Sequence, residues 1–201
     1  MTENIKKPES ILSNIKILLK SAVKDRHHPY HTPVFSNISN NIRSKSRIIV
    51  LRNFDEEKLI LNFHSDFRSP KIKDLQNNKQ SSFLFYDSKI KTQLRIRTNS
   101  KINYKNNITK NAWGKTTLSS RKCYLSMHAP SSITAKLNDG IPSHLKGIDP
   151  QLEESEKGYK NFVVIQNKIV NIDWLHLSSS GHERLMIKFQ KNIPFFNWII
   201  P

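Results

Sequence analysis

A single cysteine, Cys123, means that no disulfide can form within the chain, which suits a reducing compartment. No apolar run approaches the roughly 20 residues that a membrane-spanning helix requires, and the opening MTENIKKPES has no apolar signal-peptide core. The expectation is a cytoplasmic protein with no membrane partner. Acidic residues are scarce as well: 16 Asp and Glu against 33 Lys and Arg give a formal net charge of +17. Such an excess raises nucleic acid as a partner, but there is no long basic block, no Gly-rich basic tail and no zinc-finger spacing. The cations are scattered among Asn, Ser and Ile, as a general compositional bias would scatter them, so nucleic acid is the disfavoured partner. No internal repeat is present.

What is there suits one substantial globular domain: 201 residues, 36% hydrophobic and 24% charged. Residues 9–24 place Ile11, Ile15, Leu18, Leu19 and Val23 near helical spacing, predicting an amphipathic N-terminal helix. The following DRHHPYHTP reads as a Pro-broken loop; its three histidines lack the carboxylate or cysteine spacing of a metal site. Residues 1–32 are therefore read as helix and connector, and 33–201 as the main domain. From Pro33 to Tyr104, short runs rich in Ile, Val, Leu and Phe alternate with polar turns, the pattern of an antiparallel sheet or barrel. The runs are PVFSNIS, RSKSRIIVLR, KLILNFHS, SSFLFYD and TQLRIRTNSKINY, with NFDEE joining the second and third as a hairpin. In TQLRIRT the alternation is strict, so Leu94 and Ile96 face one way and Gln93, Arg95 and Arg97 the other. Residues 108–127 read as mostly helical, 128–158 as a long Pro- and Gly-punctuated loop, and the remainder as three further strands.

The stretch HSDFRSPKIKDL concentrates the chemistry. Ser69 is a favoured helix N-cap and Pro70 fits the first helical position, while Ile72 and Leu75 give the short helix one apolar edge. Arg68 and Lys71 stand at the helix start, where the macrodipole disfavours cations. They are either a surface accident of a basic chain or, with the Ser65 and Ser69 hydroxyls and free backbone N–H groups, a phosphate cradle. Cys123 has no Cys–His spacing and is expected as a small buried thiol, and no acidic pair suggests acid–base work, so no catalytic residue is assigned.

RIIVLR, then FHSDFRSPK, FLFYD, QLRIR and finally VNIDWLHL with GHERLMIKF form an ordered set over roughly residues 33–200. In that order they resemble the pyridoxamine 5′-phosphate oxidase-like family of FMN-binding split β-barrels. The resemblance implies a mainly β (α+β) antiparallel split barrel with peripheral helices, binding FMN at a homodimer interface and acting on a small molecule. It implies that Arg47 and Arg52 belong to the FMN and substrate region, and that His64, Ser65, Ser69 and Lys71 hold the ribityl chain and phosphate. Gln93 would meet the polar edge of the flavin, and Trp174 and Arg184 would reach it from the second subunit, with Lys188 a competing match to Arg184. The family's oxidases grip substrate phosphate with Tyr, Arg and Ser on the helical segment after the fifth strand. Here Trp113 and Thr117 fall near the first two positions, leaving Arg121 and Tyr124 as substrate-side candidates, and the ending NWIIP lacks the family's Arg. Three readings stand: an FMN-dependent oxidoreductase, a non-enzymatic flavin or haem carrier on the same barrel (with His128 as a haem ligand), and, resting on charge alone, a nucleic-acid-binding protein.

Overall fold

The computed structural model describes residues 7–201, so the first six residues of the expected N-terminal segment lie outside the described part. Helix α1 spans Pro8–Lys24, with Pro8 in the first turn, where a missing N–H costs nothing, and Glu9 favourably placed against the macrodipole. Its buried face is Ile11, Leu12, Ile15, Leu19 and Ala22, the i, i+4, i+8 pattern expected. These side chains join the same core cluster as Phe35, Phe63, Phe83 and Leu94, so α1 is part of the barrel's hydrophobic core rather than an appendage. Each fully buried Leu or Ile contributes about 1.5–3 kcal/mol, which anchors the helix.

Nine strands follow in one antiparallel sheet: β1 Val34–Ile38, β2 Ser44–Ile48, β3 Asn53–Asp55, β4 Ile60–Asp66, β5 Gln80–Asp87, β6 Thr92–Tyr104, β7 Phe162–His176, β8 Glu183–Gln190 and β9 Ile193–Trp198. The order is β2-β1-β5-β6-β7-β4-β3, with β8 on β7 and β9 on β8. Strand β7 serves two neighbours on one side, pairing with β4 through residues 162–168 and with β8 through residues 171–176. Strand β6 runs along its other side, with a register shift at Arg97/Thr98 that leaves Val170 outside the pairing. The sheet is the open, split form of a barrel: β2 and β3 lie at the two ends of the order and do not pair.

RSKSRIIVLR, expected as a single strand, forms one only over its first half. The β2 ladder stops at Ile48, and residues 49–52 cross from one end of the sheet to the other. The Ile49 N–H donates to Pro33 O, Leu51 N–H to His31 O and Arg52 N–H to Asn62 O, so the backbone bonds are divided between two edges. The NFDEE hairpin is present, but Asn53–Asp55 is one of its strands rather than its loop, and Leu59 closes the turn at φ 52°.

Helix α2 spans Pro70–Asn77 and buries Ile72 and Leu75, as its apolar edge predicted. The expected helix over 108–127 is divided into α3, Asn107–Gly114, and α4, Leu118–Lys122, followed by a 3-10 turn at Cys123–Leu125. Gly114 ends the first piece, and the Thr117 hydroxyl accepts from Ser120 N–H to start the second, which explains the break. Cys123 is exposed rather than buried, because the short turn carries Tyr124 inward instead. The 128–158 loop contains a 3-10 turn at Ser143–Leu145 and the short helix α5, Leu152–Glu156. No helix among the described residues is long and apolar enough to cross a membrane.

Candidate functional site

The FRSPK turn is held from three sides before any ligand is considered. Asp66 accepts from Arg68 N–H at 2.8 Å, the two-residue Asx geometry that begins many turns, and again from Arg68 Nε at 3.0 Å and Nη2 at 2.7 Å. The remaining arm of Arg68, Nη1, donates to Ser126 O at 3.0 Å. Phe67 stacks face to face on Tyr104 with ring centroids 4.0 Å apart, and its N–H donates to Asn161 O at 2.7 Å. Arg68 is thus a structural brace, and the anion beside it is Asp66. The Asp two residues ahead of Arg68 was the sequence signal for this arrangement.

Lys71 behaves differently. Its ammonium donates to Ser65 Oγ at 3.0 Å and to Ser69 Oγ at 2.7 Å. Ser69 therefore makes no side-chain cap on α2, although it occupies the N-cap position. Burial, with Arg47 nearby, pushes the Lys71 pKa down to about 8, the attraction of Asp66 being too weak to offset them. Arg47 lies on β2 directly opposite Phe35, its guanidinium over that ring at 5.7 Å and hydrogen-bonded to Asn37 Oδ1. Burial lowers the Arg47 pKa too, with Asp74 opposing. Asp74 itself accepts from Asn37 Nδ2 at 3.3 Å and from Lys45 Nζ at 3.1 Å. Asn37, Lys45 and Asp74 are a supporting network that sequence reasoning missed, since their proximity depends on α2 packing on β1. The result is a cluster of two cations and two hydroxyls, Arg47, Lys71, Ser65 and Ser69, at the rim where the sheet is split. Its donors match a phosphate monoester in charge and in hydrogen-bonding capacity.

The other predicted residues fall elsewhere. His64 and Arg52 lie on the far side of β4, lining a cavity of about 500 Å³ against α3 and α4. The His64 ring meets Phe162 edge-on at 4.8 Å, and burial together with Arg52 lowers its pKa to about 4, so it is neutral near pH 7. Gln93 and Arg184 both stand opposite Leu175 and share the outer face of the sheet. Arg47, in the same row as buried Phe35, Phe83 and Ile96, is on the core face, so Gln93 and Arg47 of one chain lie on opposite faces. Arg184 donates through Nε at 3.0 Å and Nη2 at 2.9 Å to Asp173, which Arg95 also contacts. Burial raises the Asp173 pKa, but the bonds from Arg184 and Arg95 outweigh it and hold the carboxyl below its ordinary value. Lys188 is exposed on the same outer face. Trp174, only 7% exposed, is part of its own chain's core and lines the groove beneath α1.

Arg121, 5% exposed, points inward. It donates to Trp113 O at 2.8 Å, Thr116 O at 3.1 Å, Ser155 Oγ at 3.1 Å and Glu156 Oε1 at 2.5 Å, and stacks over Trp113 at 4.6 Å. It fastens α3, α4 and α5 together. Tyr124 packs against Trp113 and Phe162, and burial raises its pKa. His128 is exposed in the long loop, and no group of three or more His, Cys, Asp or Glu among the described residues could hold a metal ion.

Residues 13–103 match the pyridoxamine 5′-phosphate oxidase FMN-binding domain. That stretch runs from α1 to the end of β6 and contains all four residues of the cationic cluster, so the resemblance drawn from the motifs holds, and the matched domain is one that binds FMN. The fold extends the likeness over the rest of the chain. A pyridoxamine 5′-phosphate oxidase-related, FMN-binding protein of Nostoc punctiforme PCC 73102 superposes with a TM-score of 0.72 at 18% identity, covering 94% of this chain and 96% of that one. PhzG from Burkholderia lata 383, solved in complex with tetrahydrophenazine-1-carboxylic acid, gives a TM-score of 0.71 at 15% identity over 98% of each chain. A protein of Clostridium acetobutylicum related to general stress protein 26 gives 0.58 at 10% identity over 93% of this chain and 100% of that one. At these identities the structures share the split-barrel fold and no more. Among curated proteins, none matches by sequence.

Proposed function

We propose that the protein is an FMN-dependent oxidoreductase that works as a homodimer on a small molecule. The observation that carries the reading is the Lys71 ammonium, held by two hydroxyls beside Arg47 inside the matched FMN-binding stretch. Two cations brought together with partial loss of hydration are destabilising until an anion joins them, and a phosphate monoester supplies that anion. Arg47, Lys71, Ser65 and Ser69 would hold the phosphate. Bound flavin supplies hydride acceptance and donation, while the chain supplies orientation and control of water access.

The faces of the sheet support the homodimer if Gln93 meets the flavin. A flavin anchored at the core-face rim by Arg47 and Lys71 meets Gln93 only if a second copy presents its outer face. Lys188 or Arg184 of that copy would then lie in reach, and Lys188 is the freer of the two because Asp173 holds Arg184. Trp174 is not used in this reading, because its own core encloses it. Pyridoxamine phosphate is disfavoured as substrate: Arg121 is committed inward, and Lys122 donates to Ile148 O at 2.9 Å. The test is the visible spectrum of the purified protein with the released cofactor identified by mass. A yellow protein releasing FMN is expected. A colourless protein that fails to bind added FMN refutes the proposal, and a Soret band replaces it with a haem carrier.

A further inference from the structure

The cavity between β3–β4 and α3–α4 has a sheet wall that includes Asn62, His64 and Val164, with Arg52 beside it, and a helical wall that includes Ile108 and Lys115. No acidic side chain among the described residues lines it. Two cations without a carboxylate favour an anionic occupant. His64, neutral near pH 7, adds hydrogen-bonding capacity but no third charge. A second observation is independent of charge. Asn62 Oδ1 is the one buried side-chain polar atom among the described residues with no hydrogen-bond partner. Buried acceptors are almost always satisfied, so an orphan in a cavity wall marks a missing donor. Asn62 itself lines the cavity, and because the terminal amide torsion of Asn is broad, contact with an occupant requires the amide to turn this oxygen toward it.

Arg121 and Lys122 on α4 are committed to protein oxygens, and of the hydroxyls in the lining Thr116 donates to Ala112 O and Thr117 to Ser120 Oγ, so Arg52 and Lys115 are the cations that face an occupant. A guanidinium and one ammonium at the rim suit a carboxylate. We propose that this cavity takes a small planar carboxylate whose ring carries an N–H, with the acid group between Arg52 and Lys115 and the N–H donated to Asn62 Oδ1. The apolar wall of Ile108 and Val164 packs on the ring. This names the substrate class of the oxidoreductase reading and rests on it, but binding is measurable without turnover.

The test is calorimetric titration of the full chain, with and without FMN, using indole-2-carboxylate and its isostere benzofuran-2-carboxylate, which lacks the N–H. A site built to receive a donor rejects the analogue without it, so indole-2-carboxylate binds about tenfold or more tighter. In Asn62→Leu the two bind within about twofold of each other, with native near-ultraviolet circular dichroism as the folding control. If that variant does not fold, Arg52→Gln decides: both ligands weaken together and their ratio is kept. Equal affinities, no binding of either, a ratio that survives in folded Asn62→Leu, or tighter binding of pyridoxamine 5′-phosphate overturns the proposal. Flavin absorbance scores FMN binding separately, so a protein that binds FMN but fails these titrations refutes the substrate class alone.

Discussion

Lys71 offers the sharpest handle on the cofactor reading. Its pKa of about 8 in the ligand-free chain, set by burial and Arg47, means that the ammonium is largely intact at pH 7 and mostly lost at pH 9. A phosphate dianion binds the protonated form, so FMN binding takes up a proton at alkaline pH. With a pKa about 8, roughly a tenth of the ligand-free protein is protonated at pH 9, and the apparent Kd weakens about tenfold between pH 7 and pH 9. The phosphate's own second ionisation, near pH 6, is about nine-tenths complete at pH 7, so it alters the slope by only about a tenth. The assay is quenching of flavin fluorescence at fixed ionic strength. Lys71→Arg keeps the charge but does not titrate, so its affinity stays flat over the same interval. Lys71→Ala loses a charge-assisted contact of about 1.5–3 kcal/mol, or about 10–150-fold in Kd, and loses the pH slope with it. A wild-type Kd independent of pH, or a slope that persists in Lys71→Ala, refutes the assignment.

Other consequences can be measured on the same protein. Removing the guanidinium in Arg121→Ala takes one donor from each of the Trp113 and Thr116 carbonyls and leaves Ser155 and Glu156 without their link to α4, and urea denaturation is expected to show a loss of about 2–4 kcal/mol with FMN affinity little changed. A large selective loss of FMN affinity with native stability would contradict the bracing role. Leu19→Ala empties a fully buried site where α1 enters the core, costing about 2–5 kcal/mol of unfolding free energy. Asp173 has its folded pKa lowered, so its contribution to stability is fully present above the unfolded value and is lost as pH falls through the folded one. Below about pH 4 the stability gap between wild type and Asp173→Asn should therefore narrow, and a constant gap in acid melts would refute it. Light scattering is expected to show a homodimer, and a monomer that still binds FMN tightly would remove the role given to the outer face.

Much of the molecule was legible because its local patterns agree with its packing. The α1 stripe and the strict Leu94/Ile96 alternation each bury one face, and periodicity reports burial directly when a single face is buried. The Ser69-Pro70 start of α2 was legible for the same local reason. Residues 49–52 were not, because their strand-like composition is satisfied by bonds to His31, Pro33 and Asn62, which only the folded chain brings near. Trp174 illustrates a different limit. One residue of register decides whether a side chain on β7 faces the core or the outer surface, and register is set by pairing with Leu94 and Leu185.

The sequence by itself determined α1, α2, most of the strands, the cationic turn and the resemblance to FMN-binding split barrels, since propensity, periodicity and motif order are written along the chain. Tertiary structure alone decided which cations remain available. Arg68, Arg121 and Arg184 are taken up by Asp66, by Glu156 with buried carbonyls, and by Asp173. Lys71 keeps only hydroxyl partners and is left poised for an anion. The physical reason is that a cation's role depends on which acceptors lie within about 3 Å of it, and for most of these the acceptor is far away in sequence or turned by packing.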